Sequence, residues 1–321
     1  MNILICTAAS DLRVKKTGFE TATYAHKVND SAGGGTVTAL VFGKASNIGD
    51  LGKYGADKII QVDDPNTDGL DNMVCSAVIA EVAGQTNAEL IVLSHDAFGK
   101  SVAGRLSVKL KAGLVTGVAS LPSSLTPFSV EKSVFSGKAF GTFTVDSATK
   151  IVTLTGNSIS PEESGAAIEA ESFSGTVPEM ISVLREVNKI TGQIPLPEAD
   201  QVVSGGRGMK GPENWGILED LGKELNASMA CSRPVSDSDW RSHHEHVGQT
   251  GIVVRPNLYV AVGISGAIQH LAGVNGSRVI VVINKDPEAP FFKAATYGVC
   301  ADLFDVVPAL TESIKKFKAQ H

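Results

Sequence analysis

The sequence has little cysteine, and what it has is dispersed. Cys6, Cys75, Cys231 and Cys300 form no CxxC pair, which excludes a zinc ribbon or a metal cluster by spacing and fits free thiols in a reducing compartment. Long hydrophobic runs are also missing: no stretch approaches the roughly 18 apolar residues that a membrane-spanning helix needs. Residues 1–10 are apolar, but no basic region precedes them and Asp11 follows at once, so they read as a first strand rather than a secretory signal. Positive charge is in deficit. Against 34 Asp and Glu there are 28 Lys and Arg, a net charge of −6, so no basic field exists to hold a polyanion and nucleic acid is not expected as a principal partner.

What is present is a globular composition, 43% hydrophobic and 19% charged, which argues against disorder. A length of 321 residues is long for one compact core and predicts two domains. In the first half, apolar runs at 2–7, 36–42, 56–62 and 90–94 alternate with helical spacing at 19–28, 73–82 and 104–110. Continuous β-branched runs between helices predict a parallel sheet covered on both faces. Residues 129–136, 139–145 and 151–155 are predicted to form an antiparallel meander. Residues 161–175, rich in Glu, Ser, Ala and Gly, read as an exposed connection. Two prolines, Pro195 and Pro197, precede a new strand at 200–204, and the boundary is placed there: residues 1–190 form one α/β domain and residues 191–321 a second. The second half restarts the rhythm, with strands predicted at 227–231, 258–264, 279–283 and 301–303, and helices at 213–225, 265–272 and 308–317. The expected fold class is therefore α/β, in two domains, each with a mostly parallel sheet flanked by helices.

Several segments at strand ends carry candidate chemistry. Residues 204–211 (SGGRGMKG) hold a GxGxxG pattern at Gly206, Gly208 and Gly211, which suits either close approach of backbone to a phosphate or a tight strand-to-helix turn. Glu224 falls inside the predicted helix, so the acid that would bind an NAD ribose is poorly placed. In Val247-Gly248-Gln249-Thr250-Gly251 an amide and a hydroxyl sit between glycines; both can donate and accept hydrogen bonds at a ring edge, or simply close a polar turn. The strand at 258–263 opens into Ser265, Gly266 and Ala267, small residues where a pyrophosphate would fit against backbone N–H groups beyond the sheet's carboxyl edge. Gln269 and His270 follow one helical turn later, and the histidine is open between a structural and a chemical role. Arg233, after Ser232 and before Pro234, should lie on a loop at the same edge, able to stack on a ring or to form a surface ion pair. Asn284 and Asp302 also follow apolar strands. His243, His244 and His246 lack a fourth ligand at suitable spacing and read as an exposed loop rather than a metal site.

Taken in order and spacing, SGGRG at 204–208, CSRP at 231–234, VGQTG at 247–251, VGISGAIQH at 262–270 and INKDPEA at 283–289 closely resemble the electron-transfer flavoprotein alpha subunit. The stretch 297–305 does so too. The N-terminal half is similar in its α/β rhythm and in short pieces such as Tyr54-Gly55-Ala56-Asp57. The resemblance implies a Rossmann-like C-terminal domain with one FAD, and an N-terminal domain that is structural and contributes to the interface of a heterodimer with a beta subunit. It implies an electron carrier rather than an enzyme, moving single electrons from acyl-CoA-type flavin dehydrogenases, as in fatty acid beta-oxidation, to a membrane-associated quinone oxidoreductase, without membrane insertion. The expected location is the bacterial cytoplasm, or the mitochondrial matrix after removal of an import segment.

Carried over position by position, Arg207, Ser232, Val247, Gly248, Gln249, Thr250, Ser265, Gly266, Ala267, Ile268, Gln269, His270, Asn284, Asp302 and Leu303 should contact FAD. Arg233 should lie over the flavin ring, Thr250 near its N5 and His270 near its C2 oxygen; these three would tune the potential. Asn284 and Asp302 should serve the adenosine end. Ile252 stands where many relatives have lysine. A cation and a donor near N1 and the C2 oxygen would favour the anionic, one-electron-reduced flavin. The alternative, an NAD-dependent dehydrogenase, needs an acid/base pair and a substrate pocket, for which no convincing residues are found.

Overall fold

The computed structural model describes residues 1–135, 137–186 and 194–320. The chain divides into two compact units, Met1–Lys189 and Ile190–His321. The boundary expected between residues 190 and 191 lies outside the described residues.

The first unit contains, in chain order, β1 (Ile3–Ser10), β2 (Arg13–Val14), α1 (Lys16–Ser31), β3 (Val37–Phe42), β4 (Lys58–Val62), α2 (Asn72–Gln85), β5 (Leu90–Ser94), α3 (Ala97–Leu110), β6 (Gly113–Val118), β7 (Ser124–Leu125), β8 (Phe128–Val134), β9 (Ala139–Val145), β10 (Lys150–Leu154) and β11 (Ala170–Ser172). The main sheet runs β11-β4-β3-β1-β5-β10-β6, all parallel, with β2 added antiparallel to β1. Alternation of side chains along β1 explains its unbroken apolar run. Ile3 and Ile5 point into a core shared with Tyr24 and Val28 of α1. Leu4 and Cys6 point into the opposite core, with Val78 and Ile79 of α2 and Val102 of α3. Both helices on that second face start at aspartate caps: Asp71 accepts from the N–H of Met73 and Val74, and Asp96 accepts from the N–H of Gly99.

The structure corrects the expected meander. Its three strands are β7, β8 and β9, paired antiparallel, whereas β10 inserts between β5 and β6 in the parallel sheet. Burial separates the two cases. Ile151, Val152, Thr153 and Leu154 are all buried, as a central parallel strand requires, while most of β9 is exposed. Residue 136, the end of the first predicted meander strand, lies outside the described residues. Two smaller corrections follow the same logic. The helix expected at 104–110 begins at Ala97, because the Asp96 cap sets its start. Within the connection expected at 161–175, Ala170–Ser172 pairs with β4 as an edge strand.

The second unit contains β12 (Gln201–Gly205), α4 (Gly216–Leu225), β13 (Ser228–Cys231), α5 (Arg233–Ser236), β14 (Leu258–Val262), α6 (Ile268–Val274), β15 (Val279–Asn284), β16 (Tyr297–Cys300) and α7 (Leu303–Gln320). Its sheet is parallel throughout, in the order β13-β12-β14-β15-β16. Numbered within the unit this is 2-1-3-4-5, a doubly wound order whose connections leave to opposite sides between the first and third strands. Tyr259, Ala261 and Val282 face one core, with Val274 of α6. Val260, Val262 and Ile283 face the other, with Leu218 and Leu221 of α4 and Val307 of α7. The short strand expected at 301–303 is Tyr297–Cys300 instead, because Asp302 caps α7: its carboxylate accepts from the Phe304 N–H at 2.9 Å.

Candidate functional site

The loops that leave the carboxyl ends of β12, β13 and β14 meet at the point where the strand order reverses. This is where open α/β sheets bind ligands. The N–H of Gly206 donates to the Val262 carbonyl at 2.9 Å, that of Gly208 to the Gly263 carbonyl at 3.0 Å, and that of Ser232 to the Gly205 carbonyl at 3.0 Å. A Cβ at Gly206 would lie 2.3 Å from the Gly263 oxygen, and one at Gly208 would lie 2.6 Å from the Gly263 Cα. These glycines therefore exist to let two loops touch backbone to backbone. Gly211 opens no helix: a 3-10 turn at Pro212–Asn214 intervenes, and α4 starts at Gly216 rather than 213. Of the two readings of the GxGxxG pattern, the structure supports the tight turn. Arg207 stands exposed on the rim of that turn.

Arg233 and Thr250 are brought together. Arg233 opens the single turn of α5, rather than lying in a loop, because Pro234 suits a first helical turn. Its guanidinium donates to Thr250 Oγ1 at 3.4 Å and to Asp237 at 3.3 Å. The turn that carries Thr250 is fixed on both sides. The Val247 N–H donates to the Cys231 carbonyl, the Gly248 N–H to the Ile252 carbonyl, and the Gln249 N–H to the Gln269 carbonyl at 2.7 Å. Gly248, at φ 152°, lies against Gly273 of α6, where a Cβ would approach within 2.6 Å of the Gly248 Cα. The 247–251 turn is thereby seated on the helix that carries His270.

His270 is buried, unlike its exposed neighbours Ser265, Ala267, Ile268 and Gln269. Its Nε2 lies 2.9 Å from the Tyr259 hydroxyl, and its ring packs edge-on against Phe291. Its Nδ1 is buried and makes no hydrogen bond among the described residues. The Val247 carbonyl lies near enough to favour a proton on the ring, but burial, helped by His246, outweighs it and pushes the pKa down to about 4. The imidazole is thus neutral at pH 7, able to donate from one nitrogen while accepting at the other.

The remaining expected residues have structural partners as well. Asn284 donates through Nδ2 to the Ile264 carbonyl at 3.0 Å, tying the loop after β14 to β15. Asp302 is the α7 cap already described, and Leu303 is buried in the core beneath Gly263. Gly266, at φ 84°, is pressed against Phe291, whose N–H donates to the Ser265 carbonyl. The sequence reading passed over Tyr259 and Phe291, both fully buried and both against His270. One signal was available for Tyr259: a phenol in a fully apolar strand needs a hydrogen-bond partner.

Residues 3–180 match the family model for the electron transfer flavoprotein domain. Residues 195–275 match the model for the electron transfer flavoprotein FAD-binding domain. The chain belongs to the electron transfer flavoprotein alpha-subunit family. It is 37% identical to electron transfer flavoprotein subunit alpha of Bacillus subtilis across 89% of each chain. Identity to the subunit of Syntrophomonas wolfei is 36%, across 95% of this chain and 96% of that one. The mitochondrial subunit of Dictyostelium discoideum is 36% identical over 82% of this chain and 78% of its own. Family membership makes the chain an electron carrier with a C-terminal FAD-binding domain, and it displaces the dehydrogenase alternative.

The geometry fits that cofactor. A flavin presents acceptors along its pyrimidine edge and a polarisable ring face. Here two donors, Arg233 and Thr250, converge at one place, and a buried histidine nitrogen lies without a hydrogen-bond partner under the adjoining turn. No helix among the described residues is long and apolar enough to cross a membrane.

Two histidines, the buried His270 and the half-buried His95, make stability pH-dependent. In the first unit His95, hydrogen-bonded through Nδ1 to Thr153 Oγ1 at 2.7 Å, is held down to a pKa of about 4 by burial, with Lys100 and Lys132 adding to the effect. His270 does the same in the second unit. Unfolded histidine titrates near 6.5. Between that value and about 4 the unfolded chain binds more protons, so stability is complete above pH 6.5 and falls as the pH is lowered. The second unit should lose about 1–3 kcal/mol between pH 7 and pH 4.5, and the first, where His95 is only half-buried and partly screened by solvent, less. Thermal unfolding across this range checks it. Transitions that stay level to pH 5 would remove both histidines from the account.

Proposed function

We propose that the second unit holds one FAD along the edge formed by Arg207, Ser232, Arg233, the 247–250 turn, Ser265 to His270, Asn284, Asp302 and Leu303. We further propose that this chain works as the alpha subunit of a heterodimer with a beta subunit. FAD, when bound, supplies a centre that accepts and releases electrons one at a time. The chain's residues do the rest. Arg233 places a fixed positive charge at the ring, Thr250 presents its hydroxyl to the ring's central edge, and His270 donates toward the C2 oxygen. Asn284 and Asp302 serve the adenosine end in addition to their structural bonds. Residues 191–321 are the cofactor domain, and residues 1–190 provide a scaffold and part of the subunit interface. The electron donors are flavin dehydrogenases of the acyl-CoA class, and the acceptor is a quinone oxidoreductase. The cytoplasm of a bacterium, or the mitochondrial matrix, is the corresponding location.

The observation that carries this reading is the hydrogen bond between Arg233 and Thr250, two residues far apart in sequence, on a turn whose Gln249 N–H is tied to the Gln269 carbonyl, next in the chain to His270 with its buried, unpartnered Nδ1. The test is a co-purified heterodimer. It should be yellow, with one FAD per complex, and Arg233→Ala should keep the flavin while lowering its first reduction potential. Arg233 is exposed and already shared with Asp237, so solvent screening keeps its effect small, about 1 kcal/mol, or roughly fivefold in the redox ratio at fixed potential. Arg233→Lys should recover part of the charge effect without the planar stacking. A complex free of flavin, or an unshifted potential in the flavin-loaded alanine variant, would count against the assignment.

A further inference from the structure

Tyr259 is fully buried in the middle of β14, in register with Val202 of β12. A phenol there must find a partner for its O–H. Among the described residues its hydroxyl has one hydrogen-bond partner, His270 Nε2, at 2.9 Å. Ser204, buried on the same face, lies close enough to influence the phenol but outside hydrogen-bond geometry.

Two proton arrangements are conceivable across this contact, and they differ in cost. If Nε2 carried the proton and donated to the phenol oxygen, the Tyr259 O–H would be left buried with no acceptor in hydrogen-bond geometry among the described residues, since the nearby Ser204 Oγ lies outside it. A buried unsatisfied donor costs about 1–3 kcal/mol. If Tyr259 donates to Nε2, the phenol is satisfied. The ring proton then sits on Nδ1, which is buried and makes no hydrogen bond among the described residues. In a neutral imidazole the bond made at one nitrogen fixes which nitrogen carries the proton.

We propose that Tyr259 is a positioning residue: by donating to Nε2 it holds His270 in the tautomer whose Nδ1 bears the proton, so that the nitrogen left without a protein hydrogen bond is a donor for the flavin's C2 oxygen. This rests on the flavin placement above and adds what that placement lacks, the reason His270 is a donor there rather than an acceptor. Tyr259 has no need to touch the cofactor. It acts through the imidazole, as the carboxylate or carbonyl behind many functional histidines does.

The experiment uses the full chain with its partner subunit and imidazole-15N histidine, the His270 signals being assigned by their loss in His270→Gln. The wild type is recorded with and without FAD. We expect the nitrogen shifts of a single tautomer, Nδ1 protonated and Nε2 bare, in both states. In Tyr259→Phe, which keeps the ring volume and removes the hydroxyl, we expect a mixture of tautomers. The ratio of one-electron-reduced to oxidised flavin at fixed potential should fall about threefold to tenfold, the range of one neutral hydrogen bond. FAD occupancy should stay near that of the wild type. A wild-type ring protonated on Nε2 overturns the proposal without any variant, and so does Tyr259→Phe with unchanged tautomer and potential. A wild-type complex that never takes up FAD overturns the flavin placement instead, while its nitrogen shifts still report on Tyr259.

Discussion

Gly266→Ala should cost the second unit about 2–5 kcal/mol and strip the heterodimer of most of its flavin. Two independent penalties combine. Gly266 sits at φ 84°, where a side chain costs roughly 1–2 kcal/mol. Its new methyl would also lie 2.4 Å from the Phe291 Cβ and 2.6 Å from the Phe291 Cα and N. Those are backbone and near-backbone atoms that cannot rotate away, and overpacking of this kind adds roughly 1–3 kcal/mol. Relief would require the loop after β14 to move, breaking the bond from the Phe291 N–H to the Ser265 carbonyl at 3.1 Å. Phe291 also packs on His270, so the shift would reach the proposed donor. Lys293→Ala, two residues from Phe291 with an exposed side chain and outside the proposed flavin edge, is the control and should melt like the wild type. Flavin absorbance and thermal unfolding of the co-purified complex measure both. A Gly266→Ala complex with normal melting and full flavin would mean that the loop is slack.

Arg241→Ala should be the second costly change, about 2–3 kcal/mol. The guanidinium grips Glu245 with two bonds, Nε to Oε2 at 2.6 Å and Nη2 to Oε1 at 2.7 Å, and reaches Glu219 of α4 at 2.8 Å. It also lies over the Trp215 ring, 5.6 Å from the centroid. Glu245 is buried, with its side chain 12% exposed, so deleting Arg241 leaves a carboxylate out of water and unpaired. That asymmetry, rather than the attraction itself, sets the size of the loss. Glu219 is more exposed and contributes less. The double variant Arg241→Ala/Glu245→Gln should regain a good part of the stability, because the stranded charge is gone. Urea unfolding of the three proteins decides it, and a double variant no better than Arg241→Ala would assign the loss to the Trp215 contact. The network matters beyond stability. It pins residues 234–246, the stretch that joins Arg233 to the 247–251 turn, to the body of the unit.

Much of this protein was legible as sequence because its signals are local. The unbroken apolar runs of β1, β5, β14 and β15 announced parallel strands buried on both faces, since period-two alternation puts every second residue into each of two cores. The family motifs lie within short segments and point to the FAD-binding domain by themselves. Where local pattern was ambiguous, the reading went astray in a specific way. Residues 150–154 look like the strands just before them, and only pairing with Leu90–Ser94 and Gly113–Val118 shows that they belong to another sheet. The strand expected at 301–303 ends at Cys300 for a similar reason: the Asp302 carboxylate caps the following helix, a bond that no local pattern shows.

By itself, then, the sequence determined the α/β class, the two-part organisation, the family and the segments that line the carboxyl edge of the second sheet, because composition, periodicity and contiguous motifs are properties of neighbouring residues. Only the tertiary structure decided what those residues do to one another. It packed Gly206 and Gly208 backbone to backbone against Gly263, joined Arg233 to Thr250, and placed Tyr259 behind His270. Those outcomes depend on distances across strands and loops, and on which polar atoms lose their access to water. Neither is encoded in any single stretch of chain.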